Sequence, residues 1–183
     1  MATFFPALHA LASAAVAVIL LLLQSYGLAS SSSGWMHADL LAIYVFYVGL
    51  EHHAFSGTVK IVFISLLEEL WSSVPAGFYL TSHLLMMLVG NRLATWLEMQ
   101  RRSTQLLLFG VLLSMKEGMF VLTLTALGLP VSASGFFHER LPGMLITMLV
   151  AVPVMEILSF MDGFFDRLVA SRPGGAPAGG GMG

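Results

Sequence analysis

The sequence predicts an all-α membrane protein, a polytopic bundle of about six transmembrane helices. Of its 183 residues, 57% are hydrophobic and only 10% are charged, whereas about 25% of the residues in an ordinary soluble domain are charged. The mean hydropathy is +0.88. The apolar runs are too long for barrel strands, and the other structure that satisfies every backbone group inside a bilayer is the helix. We therefore expect lipid to surround most of the chain.

Six apolar segments account for most of the chain, and about twenty apolar residues are needed for a helix to cross the hydrocarbon core. The second and third segments have short apolar runs with polar residues nearby, so a re-entrant pair is an alternative to two full spans there. The first segment could instead be a signal peptide, but its apolar run exceeds the usual length and no Lys or Arg precedes it. The segments are 5–26, 37–51, 57–73, 76–97, 104–128 and 141–165.

Composition and motifs restrict the function classes. Residues 1–170 are predicted to form one domain, followed by a disordered Gly/Pro/Ala-rich cytoplasmic tail, 171–183. The net charge of -2 offers no electrostatic footprint for a nucleic acid, and the absence of cysteine excludes disulfides and thiolate metal sites. His52 and His53 are adjacent and diverge on a helix, and no zincin, nucleophile-elbow or phosphate-loop motif occurs. The sequence predicts neither an enzyme nor a metal site or other cofactor.

The basic residues predict the orientation, because Lys and Arg accumulate on the cytoplasmic side of a membrane. Arg140, in an outer connector, and Lys116, inside segment five, are the exceptions to an arrangement with both termini in the cytoplasm. Three tryptophans, Trp35, Trp71 and Trp96, fall near segment ends, as interface anchors do. With both termini in the cytoplasm, six of the eight basic residues lie on the cytoplasmic side: Lys60, Arg92, Arg101, Arg102, Arg167 and Arg172.

Two charged residues, Lys116 and Glu117, stand in the middle of segment five. Insertion scales put a charge at the centre of a membrane helix at about +2.5 to +3.5 kcal/mol, so both side chains should face protein or water. Adjacent helix residues do not face each other, so each should find its partner on another helix. The expected partners are the other polar residues of the segments: Glu68, Glu69, His83 and Glu156.

This polar network has two interpretations. The functional one is a proton or ion path, or a pocket for a polar ligand. The structural one is an interhelical ion-pair network that fixes how the helices pack, and it is the one that we favour. It pairs Glu68 or Glu69 with Lys116 and leaves the other carboxylate protonated or at the membrane interface.

Segment one carries small residues at helical spacing. Ala10 with Ala14, and Ser13 with Ala17, form faces of the small-xxx-small kind that let two helices approach closely. A partner helix could therefore dock on this segment.

Two stretches carry a family resemblance. They are "DLLAIYVFYVGL", which begins at Asp39, and "FISLLEELWSSVPAGFYLTSHLLMMLVGNRL", which ends at Leu93. Together they resemble the bacterial rod shape-determining MreD family, in which an apolar stretch leads into a Gly-Leu-Leu-x-Asp-like motif, a Gly/Pro turn and another helix. Ser65 stands where that family usually has glycine, and glutamate stands where it usually has aspartate. The residues that fit the pattern are Leu66, Leu67, Glu69, Pro75 and Gly77.

The resemblance implies a non-enzymatic scaffold subunit of the cell-elongation complex that directs peptidoglycan synthesis at the bacterial inner membrane. Its implied partners are an MreC-like single-span protein and, within one complex, MreB, RodA and the transpeptidase that works with RodA. MreD-like proteins are also similar in fold to the substrate-binding subunits of energy-coupling-factor vitamin transporters. Those subunits dock through an Ala-x-x-x-Ala face, which Ala10 and Ala14 could imitate, so small-molecule binding is the alternative function.

Overall fold

The computed structural model describes residues 4–30, 38–51, 54–72, 74–96, 101–130 and 140–170. These residues contain no strand, so the predicted all-α class is confirmed, with one helix for each apolar segment. The predicted tail, 171–183, lies outside the described residues, as do Trp35, His52 and His53. The helices, in chain order, are α1 (Phe4–Ser30), α2 (Leu40–Glu51), α3 (Ala54–Trp71), α4 (Phe78–Ala94), α5 (Arg102–Ala126) and α6 (Leu141–Ala170).

The innermost helix is α2. Residues 41–49 are all buried, and the helix packs against each of the other five. A helix that is apolar on every side needs neighbours on every side, which explains why this sequence has no polar face. Its 12 residues span about 18 Å, less than the ~30 Å hydrocarbon core. The short second segment is therefore the core of the bundle, enclosed by the longer helices.

Consecutive helices alternate in direction around α2. Three polar pairs show this. In each pair, one residue lies at or near the start of a helix. The other residue lies in the second half of the preceding helix. Odd-numbered helices therefore end, and even-numbered helices begin, at the same end of the bundle. The pairs are Leu41 with Gln24, His83 with Ser65, and Arg140 with Glu117.

Glycines let α2, α3 and α4 approach closely. A Cβ atom at Gly57 would lie 3.2 Å from Met87 Cε and 3.3 Å from Val48 Cγ1. A Cβ atom at Gly49 would lie 3.5 Å from the Cα of Met87. Close backbone approach through small residues is typical of helix packing in membranes.

The outer surface of the bundle is apolar. Every helix except α2 exposes large hydrophobic side chains, and soluble proteins rarely expose contiguous apolar surface on this scale. Amphipathic helices of soluble proteins turn a polar face outward, which these helices do not. Examples are Leu11, Phe55, Leu70, Leu88, Leu107, Leu122, Leu149 and Phe160, each at least 68% exposed.

Among the described residues, two helices are clearly long and apolar enough to cross a membrane. They are Arg102–Ala126, with a mean hydropathy of 1.7, and Leu141–Phe164, with 2.1; the second continues through Pro153. Only 28% and 22% of these stretches are buried within the protein. A core helix of a soluble protein would be mostly buried. The low burial therefore favours a lipid environment for both helices.

Two exposed tryptophans mark opposite ends of the bundle. Trp71 is 69% exposed at the last residue of α3, and Trp96 is 81% exposed just after α4, which runs in the opposite direction. Tryptophan is enriched at both membrane–water interfaces. The positions of these two side chains fit such a pair of belts.

Candidate functional site: a polar cavity at one end of the bundle

A cavity of about 310 Å³ lies at the end of the bundle where α1, α3 and α5 end and α2, α4 and α6 begin. All six helices, or the residues immediately before them, contribute to its lining. We call it the polar cavity. Its apolar walls include Phe78, Leu113 and Phe120, and its polar lining is Gln24, Asp39, Glu68, Tyr79, Lys116, Glu117, Arg140 and Thr147.

The strongest interaction in the polar cavity is an ion pair between Lys116 Nζ and Asp39 Oδ2. The Lys116 side chain is 5% exposed and that of Asp39 is 19% exposed. The direct ion-pair partner of Lys116 is therefore an acid that precedes α2, and not Glu68 or Glu69 as expected. Lys116 also lies 5.3 Å from the centre of the Tyr79 ring, within the range of a cation–π contact.

Asp39 has a second role as the N-cap of α2. Its Oδ1 accepts a hydrogen bond of 2.9 Å from the Ala42 N–H, which would otherwise have no partner inside the helix. The Asp39 N–H donates to Thr147 Oγ1 of α6 at 2.9 Å, and the Leu41 N–H donates to Gln24 Oε1 of α1 at 3.3 Å. The buried start of α2 is thus held by α1, α5 and α6 together.

The two adjacent glutamates of α3 perform different tasks. Glu69 Oε1 accepts a hydrogen bond of 3.0 Å from the Leu80 N–H in the first turn of α4. A carboxylate there satisfies a free donor and interacts favourably with the helix dipole.

The turn between α3 and α4 requires glycine. Gly77 precedes α4 with φ 88°, and the Phe78 N–H donates to the Pro75 carbonyl at 3.2 Å.

Glu68 instead points inward, towards α4. Its Oε2 lies 3.7 Å from His83 Nε2, which is too long for a hydrogen bond. His83 Nδ1 shares a hydrogen bond of 3.0 Å with Ser65 Oγ. Hydrolases use serine, histidine and a carboxylate, but Ser65 is fully buried and does not line the polar cavity. This row of side chains connects α3 to α4.

Glu117 and Lys116 have different partners, as the helical geometry predicts. Its Oε2 lies 3.7 Å from Arg140 Nη1, just before α6. The Arg140 guanidinium lies 4.0 Å above the centre of the Phe120 ring and is 43% exposed. Arg140 is thus at the mouth of the polar cavity, whereas Lys116 is in its interior.

Three buried polar atoms have no hydrogen-bond partner among the described residues: Glu68 Oε2, His83 Nε2 and Glu117 Oε2. An unsatisfied buried polar group costs about 1–3 kcal/mol, and more when it is charged. Two of these atoms belong to residues that line the polar cavity. Both oxygens can accept hydrogen bonds from water or from another polar molecule.

Glu156 does not join this network. It is exposed and lies towards the other end of α6, where it lines a second cavity of about 360 Å³ with Arg102 and Arg167. The expectation that it would pair with Lys116 or Glu117 is wrong, since a helix of 30 residues carries Glu156 well beyond the polar cavity.

Half of the predicted docking face on α1 is covered by the chain itself. Ala17 is 1% exposed in the core, and Ser13 Oγ shares a hydrogen bond of 2.5 Å with Tyr44 Oη of α2. Ala14 is partly buried, and the side chain of Ala10 lies outside the described residues. Close approach through small residues does occur on α1, but at Ser13 its partner is α2.

Sequence reasoning missed five members of the polar lining and also Ser65, which bonds to His83; the five are Gln24, Asp39, Tyr79, Arg140 and Thr147. Asp39 gave a usable signal, since an aspartate directly before an apolar run is a typical N-cap. Asp39 also stands at the outer end of segment two, so it should lie at a depth similar to that of the outer half of segment five. No comparable signal marked Tyr79 or Ser65.

The described residues contain no group of three or more His, Asp or Glu side chains placed to hold a metal ion. Comparison with protein-family models, with curated proteins and with solved structures finds no match.

Proposed function

We propose that this protein is a six-helix scaffold of the bacterial inner membrane that holds the membrane-spanning helix of an MreC-like partner. The observation that supports it best is the distribution of polarity. Exposed faces of five helices are apolar, while the ion pair of Lys116 with Asp39 is enclosed. Lipid requires this distribution, because rare charges must find partners inside the protein.

The residues that resemble the MreD family support a structural role for its motif. Glu69 caps α4, and Pro75 and Gly77 form the turn that leads into it. The motif then serves to set α3 against α4, which is what a scaffold needs if its outer groove is to keep its shape.

The orientation follows from the same arrangement. Arg102 and Arg167 line one cavity at the end of the bundle away from the polar cavity. By the distribution of basic residues, that end faces the cytoplasm, both termini lie there and the polar cavity opens outward. In this proposal the scaffold acts within the elongation complex, with MreB on the cytoplasmic side and RodA and its transpeptidase as further members.

Copurification tests the scaffold directly. The chain is coexpressed with a full-length MreC-like protein, or with the same protein carrying an unrelated apolar helix in place of its own span. Because lipid gives no hydrophobic drive between helices, close packing must supply the affinity. We expect a stable complex with the native helix only, and less complex for Glu69→Ala than for the control Glu156→Ala. Recovery of the chain alone beside the native helix would contradict the proposal.

The polar cavity favours a second function, that of a small-molecule-binding subunit like those of vitamin transporters. Its volume of about 310 Å³ lies at the lower end of the ~300–1,000 Å³ typical of ligand pockets. Its lining includes unpartnered oxygens of Glu68 and Glu117. Native mass spectrometry of the purified protein tests this function, and a folded protein without any bound or bindable ligand would oppose it.

A further inference from the structure

We infer that the polar cavity binds a small organic cation of the ammonium class. This inference deepens the second function proposed above and rests on it. It follows from the charges that line the cavity, from the atoms that lack partners and from the size of the space.

The charges that line the polar cavity do not balance. Among the described residues, three carboxylates line it and two basic side chains oppose them, so with every group ionised the balance is 3 - 2 = 1 negative charge in excess. A single positive charge on a bound molecule would offset it, and without such a molecule a proton on the buried Glu68 carboxyl does so instead. The carboxylates are those of Asp39, Glu68 and Glu117, and the basic side chains are those of Lys116 and Arg140.

Glu68 is the carboxylate that lacks a permanent cation. Lys116 forms its ion pair with Asp39, and Arg140 lies within ion-pair distance of Glu117. The ion-pair neighbour of Glu68 is His83, which carries a charge only when it binds a second proton. The Glu68 side chain is 5% exposed, so water outside the protein screens it poorly.

The unpartnered atoms specify hydrogen-bond donors on the bound molecule. Glu68 Oε2 and Glu117 Oε2 are carboxylate oxygens with no hydrogen-bond partner among the described residues. An ionised carboxylate only accepts hydrogen bonds, and an ammonium group offers up to three donors. Charge-assisted bonds of this kind are stronger than neutral ones. The same oxygens would repel an anionic ligand.

The size of the cavity and its ligands favour an organic ion over a bare metal ion. A space of about 310 Å³ accepts a molecule of several heavy atoms. A hard cation such as Ca²⁺ takes six to eight oxygen ligands, whereas the described residues hold no group of three acidic or histidine side chains suited to a metal. Phe78 and Phe120 supply apolar wall for the carbon atoms of an amine.

The test uses the full chain in lipid nanodiscs, with ethanolammonium chloride as the probe. Ethylene glycol is the neutral control, sodium acetate the anionic control, and potassium chloride matches the ionic strength. Isothermal titration should show saturable binding of the ammonium salt only. The substitution Glu68→Gln should weaken binding at least tenfold, whereas Glu156→Gln, outside the polar cavity, should leave it unchanged. If Glu68→Gln does not fold, Glu117→Gln serves in its place.

Each outcome bears on a different statement. Binding of acetate or ethylene glycol as tight as that of the ammonium salt would overturn the cation inference and leave ligand binding in place. Equal binding by the wild type and Glu68→Gln would overturn the assigned site. If no probe of any charge binds and native mass spectrometry finds no ligand, both the inference and the second function fail, while the scaffold proposal is unaffected.

Discussion

Replacing Lys116 with methionine should destabilise the bundle by about 3 kcal/mol. Removal of one partner of a buried ion pair costs about 3–5 kcal/mol, because the other charge is left uncompensated. We expect the lower end of this range. The Asp39 side chain is 19% exposed and still accepts the Ala42 N–H after the substitution.

The reverse change, Asp39→Asn, isolates the ion pair from the helix cap. Asparagine is as good an N-cap as aspartate, so the start of α2 should survive while Lys116 loses its partner. We expect a loss of about 3 kcal/mol here as well. The double variant Asp39→Asn/Lys116→Met removes both charges of the pair, so its stability should lie within about 1 kcal/mol of the wild type.

Equilibrium unfolding in mixed micelles of mild detergent and dodecyl sulfate, followed by tryptophan fluorescence, measures these losses. The matched control is Arg92→Met, which removes an exposed basic residue outside the polar cavity and should cost less than about 1 kcal/mol. If Lys116→Met costs no more than Arg92→Met, or if the two single losses simply add in the double variant, the buried ion pair does not hold the bundle as argued.

Three further substitutions test the local structure by the same unfolding titration. Gly77→Ala should cost about 1–2 kcal/mol because the φ of Gly77, 88°, is left-handed. Gly118→Ala is the control: Gly118 lies in open space on a helix, so this substitution should be neutral or stabilising. Equal effects of the two substitutions would refute the strain argument. Glu69→Ala should cost about 0.5–2 kcal/mol and Glu69→Gln less, since glutamine keeps an acceptor for Leu80; no difference would refute the cap. Gly57→Val should cost about 1–3 kcal/mol by overpacking, and a stabilised variant would contradict the close contact.

The helices were predictable because their signal is local. Apolar runs of the right length predict helices in a bilayer, and each predicted segment contains a helix in the structure. The ends moved by a few residues, as with α2, predicted from residue 37 and observed from Leu40. The central position of α2 was not predicted, because a helix that is apolar all round gives the same pattern whether lipid or protein surrounds it.

The sequence predicts which polar residues come together better than it predicts which of them form pairs. Lys116 and Glu117 were expected to find separate partners, and the structure gives them Asp39 and Arg140. The choice of partner depends on the relative depth of residues on different helices, which no single segment contains. Glu69 was expected in the network for the same reason. Its role as an acceptor depends on where α4 begins, which the sequence of segment three does not contain.

Lipid should cover the apolar exterior of the bundle, and nitroxide accessibility tests this directly. The chain has no cysteine, so single cysteines can be labelled at Leu149, Leu122 and Ser103 without removing a native thiol. In lipid vesicles, labels at Leu149 and Leu122 should collide more often with oxygen than with a water-soluble nickel chelate. The label at Ser103, at the start of α5, should show the opposite preference. A preference for the nickel chelate at Leu149 and Leu122 would place those faces in water and contradict the account.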